Sequence, residues 1–327
     1  MAIETTSSLA RTPDTQPKTR VRAGTRIAAI DVGSNAIRLV IGEYQATGEI
    51  KVLKKYREAV RLGKDVFATG AISKKCALKA IEAFEKFKGL IREHRVEIVR
   101  AVGTSALREA GNRSALLNHI AKNCGIAIEV IDGLEEGRLI FSAVTHHTDL
   151  TDKRSILIDI GGGSVEVTLT EGPHIKASQS FPLGTVRLLE TLNARRLKEK
   201  HLPAIIAQNF KPVRDFIRGA TKGRTVDFAI GTGGNFECLG KLRVALLSKT
   251  SIHSMTRDEL QELTDHLASM SVKERIQYLR LKADRADVVV PAALTTLAIM
   301  ESIPTETLLV PYVGLRDGLL ASIVERS

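Results

Sequence analysis

The sequence predicts an α/β protein built as two similarly folded domains. Three observations carry this. Strands alternate with helices along the first half, as parallel α/β folds require. A glycine-rich hairpin near the start recurs in the second half. The 327 residues, 43% hydrophobic and 26% charged, hold enough apolar material for two cores and exclude disorder over most of the length.

Residues 1–26 are rich in Thr, Ser, Arg and Pro and lack the compact apolar core of a secretory signal. They are expected to form a disordered tail; Glu4 and Asp14 weigh against a transit peptide. Ile27–Val32 reads as a buried strand, Ile37–Tyr44 as a second after a tight turn, and Ile50–Val60 continues with β-type alternation. A loop punctuated by Gly63 and Gly70 leads to Ser73, the N-cap of a helix reaching His94. Its apolar residues Ala77, Ile81, Phe84, Phe87 and Ile91 recur at the spacing of one helix face. Strand Glu97–Val102, helix Asn112–Cys124 closed by Gly125, strand Ala127–Ile131 and helix Gly133–His146 follow.

The second half opens with a strand and hairpin of the same type, a short strand near Ala177–Phe181 and a helix from Gly184. A basic helical stretch, Ala194–Gly219, precedes strand Val226–Ile230, which ends at Gly231-Thr232-Gly233-Gly234. Helices are expected from Asn235, Thr256, Ser271 and Pro291; then Leu308–Val310, a turn at Gly314 and a last helix to Glu325.

The repeat is the informative feature. Residues 30–41 read I-D-V-G-S-N-A-I-R-L-V-I and residues 158–169 read I-D-I-G-G-G-S-V-E-V-T-L, in register at a constant offset of 128. Each copy places a carboxylate, Asp31 or Asp159, at the carboxyl end of a strand, before a turn of exposed amides. The turns Gly33-Ser34-Asn35 and Gly161-Gly162-Gly163-Ser164 can cradle phosphate oxygens, because glycine lets the backbone approach and the N–H dipoles point inward. Asp31 and Asp159 can hold a hard divalent cation that bridges phosphates. Two copies imply two domains whose turns face one another across a cleft. Gly231, Gly233 and Gly234 lie between a strand and a helix and can present a helix N-terminus to an anion. Neither a Walker-type loop nor a strand-linked G-x-G-x-x-G is present, so P-loop and dinucleotide chemistry are excluded.

Seven motifs appear in order: Asp31-x-Gly-Ser-Asn35, Gly103-Thr-Ser-Ala-Leu-Arg108, Glu135-Glu-Gly-Arg138, Asp159-Ile-Gly-Gly-Gly-Ser-Val-Glu166, Pro182-Leu-Gly-Thr-Val-Arg187, Gly231-Thr-Gly-Gly234 and Gly314-Leu-Arg-Asp-Gly318. Together they resemble the exopolyphosphatase / guanosine pentaphosphate phosphohydrolase family of the actin-like ATPase superfamily, from about Ile27 to Val324. The resemblance implies two ribonuclease-H-like domains with the active site between them: 27–147 joined by about 312–327, and 148–311. It assigns the catalytic carboxylate to Glu136, with Glu135 ranked below it, and the second functional carboxylate to Glu166. It assigns Mg²⁺ (or Mn²⁺) to Asp159, and phosphate contacts to Arg38, Arg108 and Arg285. Two departures stand out: Ala36 replaces a Ser common after the Asn, and Asn235-Phe-Glu237 replaces a Thr-rich continuation. Longer members of the family carry further C-terminal domains.

Read from the residues, Arg38 and Glu166 occupy matching positions, each seven residues after its Asp. One copy offers positive charge to a phosphate, the other a carboxylate to a water. Phosphoanhydride hydrolysis needs a positioned water, an acceptor for its proton and cations to neutralise the transferring group. The expected activity is removal of terminal phosphates from inorganic polyphosphate, with guanosine pentaphosphate 5′-phosphohydrolysis as the alternative. A nucleotide-sensing binding protein is the alternative of a different class.

Lys and Arg number 48 against 37 Asp and Glu, a net charge of +11 that suits a polyanionic ligand. Nine of these cations fall in Asn193–Arg224 against two acidic residues, and Lys211, Arg214 and Arg218 share a helix face expected to guide a long polyphosphate. Aromatics are 4% and Trp is absent, which argues against a stacking platform for nucleic acid. Cys76, Cys124 and Cys238 form no C-x-x-C pair, which fits a reducing cytoplasm. The longest apolar stretch, Val288 to Met300, is too short to span a bilayer. A homodimer is compatible with the sequence.

Overall fold

The computed structural model describes residues 21–326. The expected tail lies outside the described residues up to position 20. From Val21 the chain is held: Gly24 donates its amide to the Tyr44 carbonyl at 2.8 Å and Thr25 is buried.

The first half runs β1 (Arg26–Val32), β2 (Ile37–Tyr44), β3 (Ile50–Glu58), α1 (Leu62–Thr69), α2 (Lys74–Glu93), β4 (Ile98–Gly103), α3 (Ser105–Glu109), α4 (Arg113–Cys124), β5 (Ile128–Val130) and α5 (Gly133–Thr145). The second begins β6 (Arg154–Ile160), β7 (Val165–Glu171), β8 (His174–Phe181), α6 (Thr185–Ala194), α7 (Leu202–Asn209), α8 (Lys211–Thr221), β9 (Phe228–Thr232) and α9 (Gly233–Leu247). It continues β10 (Ser254–Thr256), α10 (Arg257–Ser269), α11 (Val272–Tyr278), α12 (Ala283–Ala286), α13 (Val289–Met300), β11 (Thr307–Leu309) and α14 (Leu315–Glu325).

The repeat extends to whole sheets. The first has the order β3-β2-β1-β4-β5 and the second β10-β11-β9-β6-β7-β8. In each, three strands meander antiparallel and the next, β4 or β9, joins the first strand in parallel. Register puts Asp31 opposite Arg38 and Asp159 opposite Glu166, so residues seven apart in sequence face each other across their hairpins.

Strand β1 is apolar on both faces because both are covered. Ala28, Ile30 and Val32 join a core with α1, α2 and α4, while Ile27 and Ala29 face a second cluster with Leu139 and Val144 of α5 and Leu319 and Ile323 of α14. That second cluster also takes Leu157 of β6 and Ile230 of β9, so α5 and α14 are packed between the two sheets. Helix α14 returns to the first sheet, against β1, β2 and β4. A separate core fills the second half.

Two expectations are corrected. The glycine-marked loop contains α1: Gly70 ends it in a left-handed conformation, φ 76°, and Gly63 lies inside it where Phe67 and Ser34 pack close. The basic stretch 194–219 is broken. Helix α6 stops at Ala194, Arg196 turns left-handed, and α7 and α8 each restart with a proline in the first turn. Among the described residues, no helix is long and apolar enough to cross a membrane.

Candidate active site between the two sheets

The two hairpin turns touch. A Cβ built on Gly162 would stand 3.0 Å from the Ser34 Cβ and 3.1 Å from the Asn35 amide nitrogen, so a side chain there would push the sheets apart. Behind the contact opens a cleft of about 70 Å³, room for a few small groups. Asp31, Gly33, Ser34, Asn35 and Arg38 line it from the first sheet, and Asp159, Gly161, Gly162 and Ser164 from the second. Gly233, Gly234 and Arg285 complete the cation- and amide-bearing wall.

Helix α5 brings the catalytic candidate in. Asp132 caps it by accepting the Glu135 amide at 2.8 Å, which places Glu136 in the first turn. Glu136 is buried, while Glu135 is half-exposed and held by Arg138 at 2.6 and 2.9 Å. That bond keeps the Glu135 carboxyl below its usual range.

Glu136, Asp159 and Glu166 form a cluster in which one carboxylate oxygen from each lies within 4.8 Å of the others. Burial, then the neighbouring charge of Glu166, pushes the Glu136 carboxyl well up. The same causes raise Asp159 to about 7, and burial raises Glu166. Thr232 donates to Asp159 at 2.8 Å and Ser180 to Glu166 at 2.7 Å. The remaining Oε2 atoms of Glu136 and Glu166 are buried without a hydrogen-bond partner. Arg108 comes to 3.6 Å from Glu136 Oε2, an ion pair too long to be a hydrogen bond. Orphaned buried oxygens on clustered carboxylates are a strong demand for a ligand. A hard divalent cation, with water beside it, meets that demand.

The candidates do not all converge. Asp31 was expected to share the cation, but its carboxylate accepts Arg38 at 2.8 Å and it is outside the three-carboxylate cluster. Arg285 donates to Asn235, whose Nδ2 holds the Ile160 carbonyl at 2.6 Å. Gly233 fits both ways: φ is +79°, and a Cβ would meet Asp159 Oδ1 at 2.7 Å. Gly231 and Gly163 are turned from the cleft. The first faces the ring of Phe236 and the second Ser105 and Phe67, so close packing accounts for both. Arg108 donates to the Ile131 carbonyl at 2.7 Å and stands behind Glu136 rather than on the cleft wall. Lys211, Arg214 and Arg218 are outside it too; Lys211 pairs with Asp215 at 2.5 Å and Arg214 lies over the Phe210 ring.

Several site residues carried no local signal. Ser180 reaches Glu166 from β8. Arg316, quoted in the seventh motif without a role, pairs with Glu237 at 2.9 Å on the cleft wall. Arg57 binds Asp284, and Arg61 binds Asp287 twice, at 2.5 and 2.7 Å. Asn35 donates to the Asp284 carbonyl at 2.9 Å. These bonds tie the first sheet to α12 across more than two hundred residues of sequence, a distance at which spacing says nothing.

The profile of the Ppx/GppA phosphatase family matches residues 40–327. Exopolyphosphatase 1 of Mycobacterium leprae is 27% identical over 308 residues, covering 90% of this chain and 88% of that protein. The guanosine-5′-triphosphate,3′-diphosphate pyrophosphatase of Photobacterium profundum is also 27% identical and covers 91% of this chain, but the match spans 59% of that longer protein. The crystal structure of an exopolyphosphatase from Cytophaga hutchinsonii superposes with a TM-score of 0.82 at 28% identity, covering 92% of this chain and 98% of the other.

Proposed function

The chain belongs to the Ppx/GppA phosphatase family, and on that footing we propose that it is an exopolyphosphatase, hydrolysing the terminal phosphoanhydride bond of inorganic polyphosphate and releasing orthophosphate. One observation carries the reading: a carboxylate cluster, with Glu136 and Glu166 buried and each carrying an orphaned oxygen, stands directly beside a cradle of backbone amides and arginines. A cation-free carboxylate cluster alone would repel a polyanion. The cradle makes it a place where charge is balanced.

Glu136 is the proposed base. Burial and the neighbouring carboxylates make it hold a proton more tightly than a free carboxylate does, which suits a group that accepts one from water. It takes a proton from a water as the water oxygen bonds to the terminal phosphorus; the bridging P–O bond breaks and its electron pair leaves with the shortened chain. Glu166, fixed by Ser180, orients that water. The amides of residues 33–35, of Gly161, Gly162 and Ser164, and of 233–234, with Arg38 and Arg285, hold the terminal phosphates, while Arg108 tempers the charge on Glu136. Asp159, with Glu166 beside it, would hold Mg²⁺ or Mn²⁺, which supplies charge neutralisation to the transferring phosphoryl group.

A second reading, 5′-phosphate hydrolysis of guanosine pentaphosphate, has the Photobacterium relative in its favour. Phosphate release from long polyphosphate, tripolyphosphate and guanosine pentaphosphate, compared side by side, separates the two. Fastest turnover on polyphosphate is expected. Release from guanosine pentaphosphate alone would transfer the assignment, and release from none of them would sink hydrolysis altogether.

A further inference from the structure

A second cation-rich cavity, of about 410 Å³, opens beside the cleft where the segment before α1, the start of α2 and α12 converge. Its walls carry Arg61, Lys64, Lys75 and Lys79 together with Asp65, Asp284 and Asp287. Every carboxylate there is already committed. Asp65 accepts the Ser73 hydroxyl at 2.5 Å, Asp284 is bound by Arg57, and Asp287 by both terminal nitrogens of Arg61. Lys64, Lys75 and Lys79 are exposed, and among the described residues no ion pair or hydrogen bond engages their ammonium groups. Three free cations therefore share one concavity. Stability does not explain the arrangement: Lys75 stands in the first turn of a helix with no acidic residue there, where the peptide dipole already disfavours positive charge.

The cavity adjoins the cleft through one layer of side chains. Arg61, on its wall, donates through Nε to Asn35 Oδ1 at 2.9 Å, and Asn35 lines the cleft. Helix α12 and its C-cap border both: Arg285 faces the cleft, while Asp284 and the capping Asp287 face the cavity. We propose that this lysine-lined cavity is a distal binding site for the phosphate chain, holding phosphates of the polymer that lie beyond those gripped at the cleft. The proposal rests on the polyphosphate reading above. A linear chain carrying one charge per unit matches separated point charges that need no fixed hydrogen-bond geometry, and lysine ammonium groups supply these.

The test is Lys64→Ala/Lys75→Ala/Lys79→Ala in the full chain, assayed on long-chain polyphosphate and on tripolyphosphate. Binding of long-chain polyphosphate is measured in parallel in a Glu136→Gln background. KM and Kd for the long chain should rise about tenfold, the scale of three exposed charge contacts, with KM for tripolyphosphate moving less than about twofold. The difference should shrink as salt rises. Lys51→Ala/Lys54→Ala/Lys55→Ala on β3 removes equal charge elsewhere and should not separate the two lengths. Equal shifts at both lengths would overturn the proposal and leave the hydrolase reading standing. So would a length-dependent shift produced by Lys211→Ala/Arg214→Ala/Arg218→Ala and not by the cavity set. Single-stranded RNA that displaces long-chain polyphosphate from the wild type, but not from the cavity variant, would reassign the cavity to nucleic acid. A wild type that neither binds nor cleaves polyphosphate would remove the reading and the proposal together.

Discussion

Glu135 and Glu136 are chain neighbours in opposite surroundings. One is tied to Arg138 at the surface; the other is buried with an oxygen that has no hydrogen-bond partner. On a helix, neighbours point about 100° apart, so both cannot address one water. Glu136→Gln keeps the shape and removes the base, and kcat should fall by about 10² to 10⁴ with substrate affinity retained. Glu135→Gln should stay within a few-fold of wild type. Steady-state kinetics of the pair decides it, since the reverse ranking would move the base away from Glu136. The same cluster makes a pH prediction. Asp159, Glu136 and Glu166 all have raised folded-state pKa values, Asp159 at about 7 against 3.8 for the free group. The fold therefore binds protons more tightly than the unfolded chain. Its contribution to stability is full below the ordinary carboxyl range and is lost as pH rises toward 7 and beyond. With divalent cations chelated, Tm should drop between pH 5 and pH 8, and added Mg²⁺ should restore it at pH 8 but hardly change it at pH 5. A melting series in which Asp159→Asn retains the full pH dependence would refute that origin.

The site holds its geometry because α5 is pinned by α14. Gly318 of α14 lies so close to α5 that a Cβ would sit 1.8 Å from the Leu139 carbonyl oxygen, backbone that cannot rotate away. Gly318→Ala should destabilise by about 1–3 kcal/mol through overpacking, and should lower kcat because α5 carries Glu136. Gly89, inside α2 and four residues before its end, has nothing within 4 Å, so Gly89→Ala should instead stabilise by about 0.5–1 kcal/mol. Chemical denaturation reads both signs, and a neutral Gly318→Ala would mean the two helices are not locked. Elements of this kind were legible where local chemistry agrees with the fold. Ser73, Thr256 and Ser271 cap the helices expected after them, the last two with full capping boxes. The repeat exposed the paired turns and the Asp–Arg and Asp–Glu partners, because hairpin pairing follows from spacing. What stayed hidden is short or set from a distance. Helix α12 has four residues and no period of its own. Its carboxyl end is fixed by the fully buried Arg275, which donates to the Ala286 carbonyl at 3.2 Å. Helix α1 was hidden by Gly63, a close-packing glycine that reads in sequence as a breaker.

At the scale of the molecule, the two halves are joined by different forces on either side of the cleft. On one side α5 and α14 bury aliphatic side chains between the sheets, an attachment that is non-directional and survives small rotations. On the other, charged and hydrogen-bonding groups meet in fixed geometry: Arg57 with Asp284, Arg61 with Asp287, and Arg187 with Glu109 at 2.5 Å. Each half keeps its own separate core, so loosening the charged side need not disturb either. We therefore expect the halves to part when a substrate enters so narrow a cleft, and to part on the charged side. Asp287→Asn tests this with opposing signs. Removing the carboxylate frees Arg61 and adds positive charge near the cleft, which by itself would strengthen binding of an anion. If the latch holds the closed form, its loss instead shifts the population toward the open one, and apparent affinity falls in proportion to the closed fraction. Tripolyphosphate binding in the Glu136→Gln background should weaken by about twofold to at most about tenfold, the upper figure being the full shift from losing one half-buried charge-assisted pair. The radius of gyration of the free protein should increase in solution scattering, with Tm lowered by only a few degrees. Tighter binding at an unchanged radius would show that Arg61 and Asp287 merely neutralise each other and that closure is governed by the aliphatic side alone.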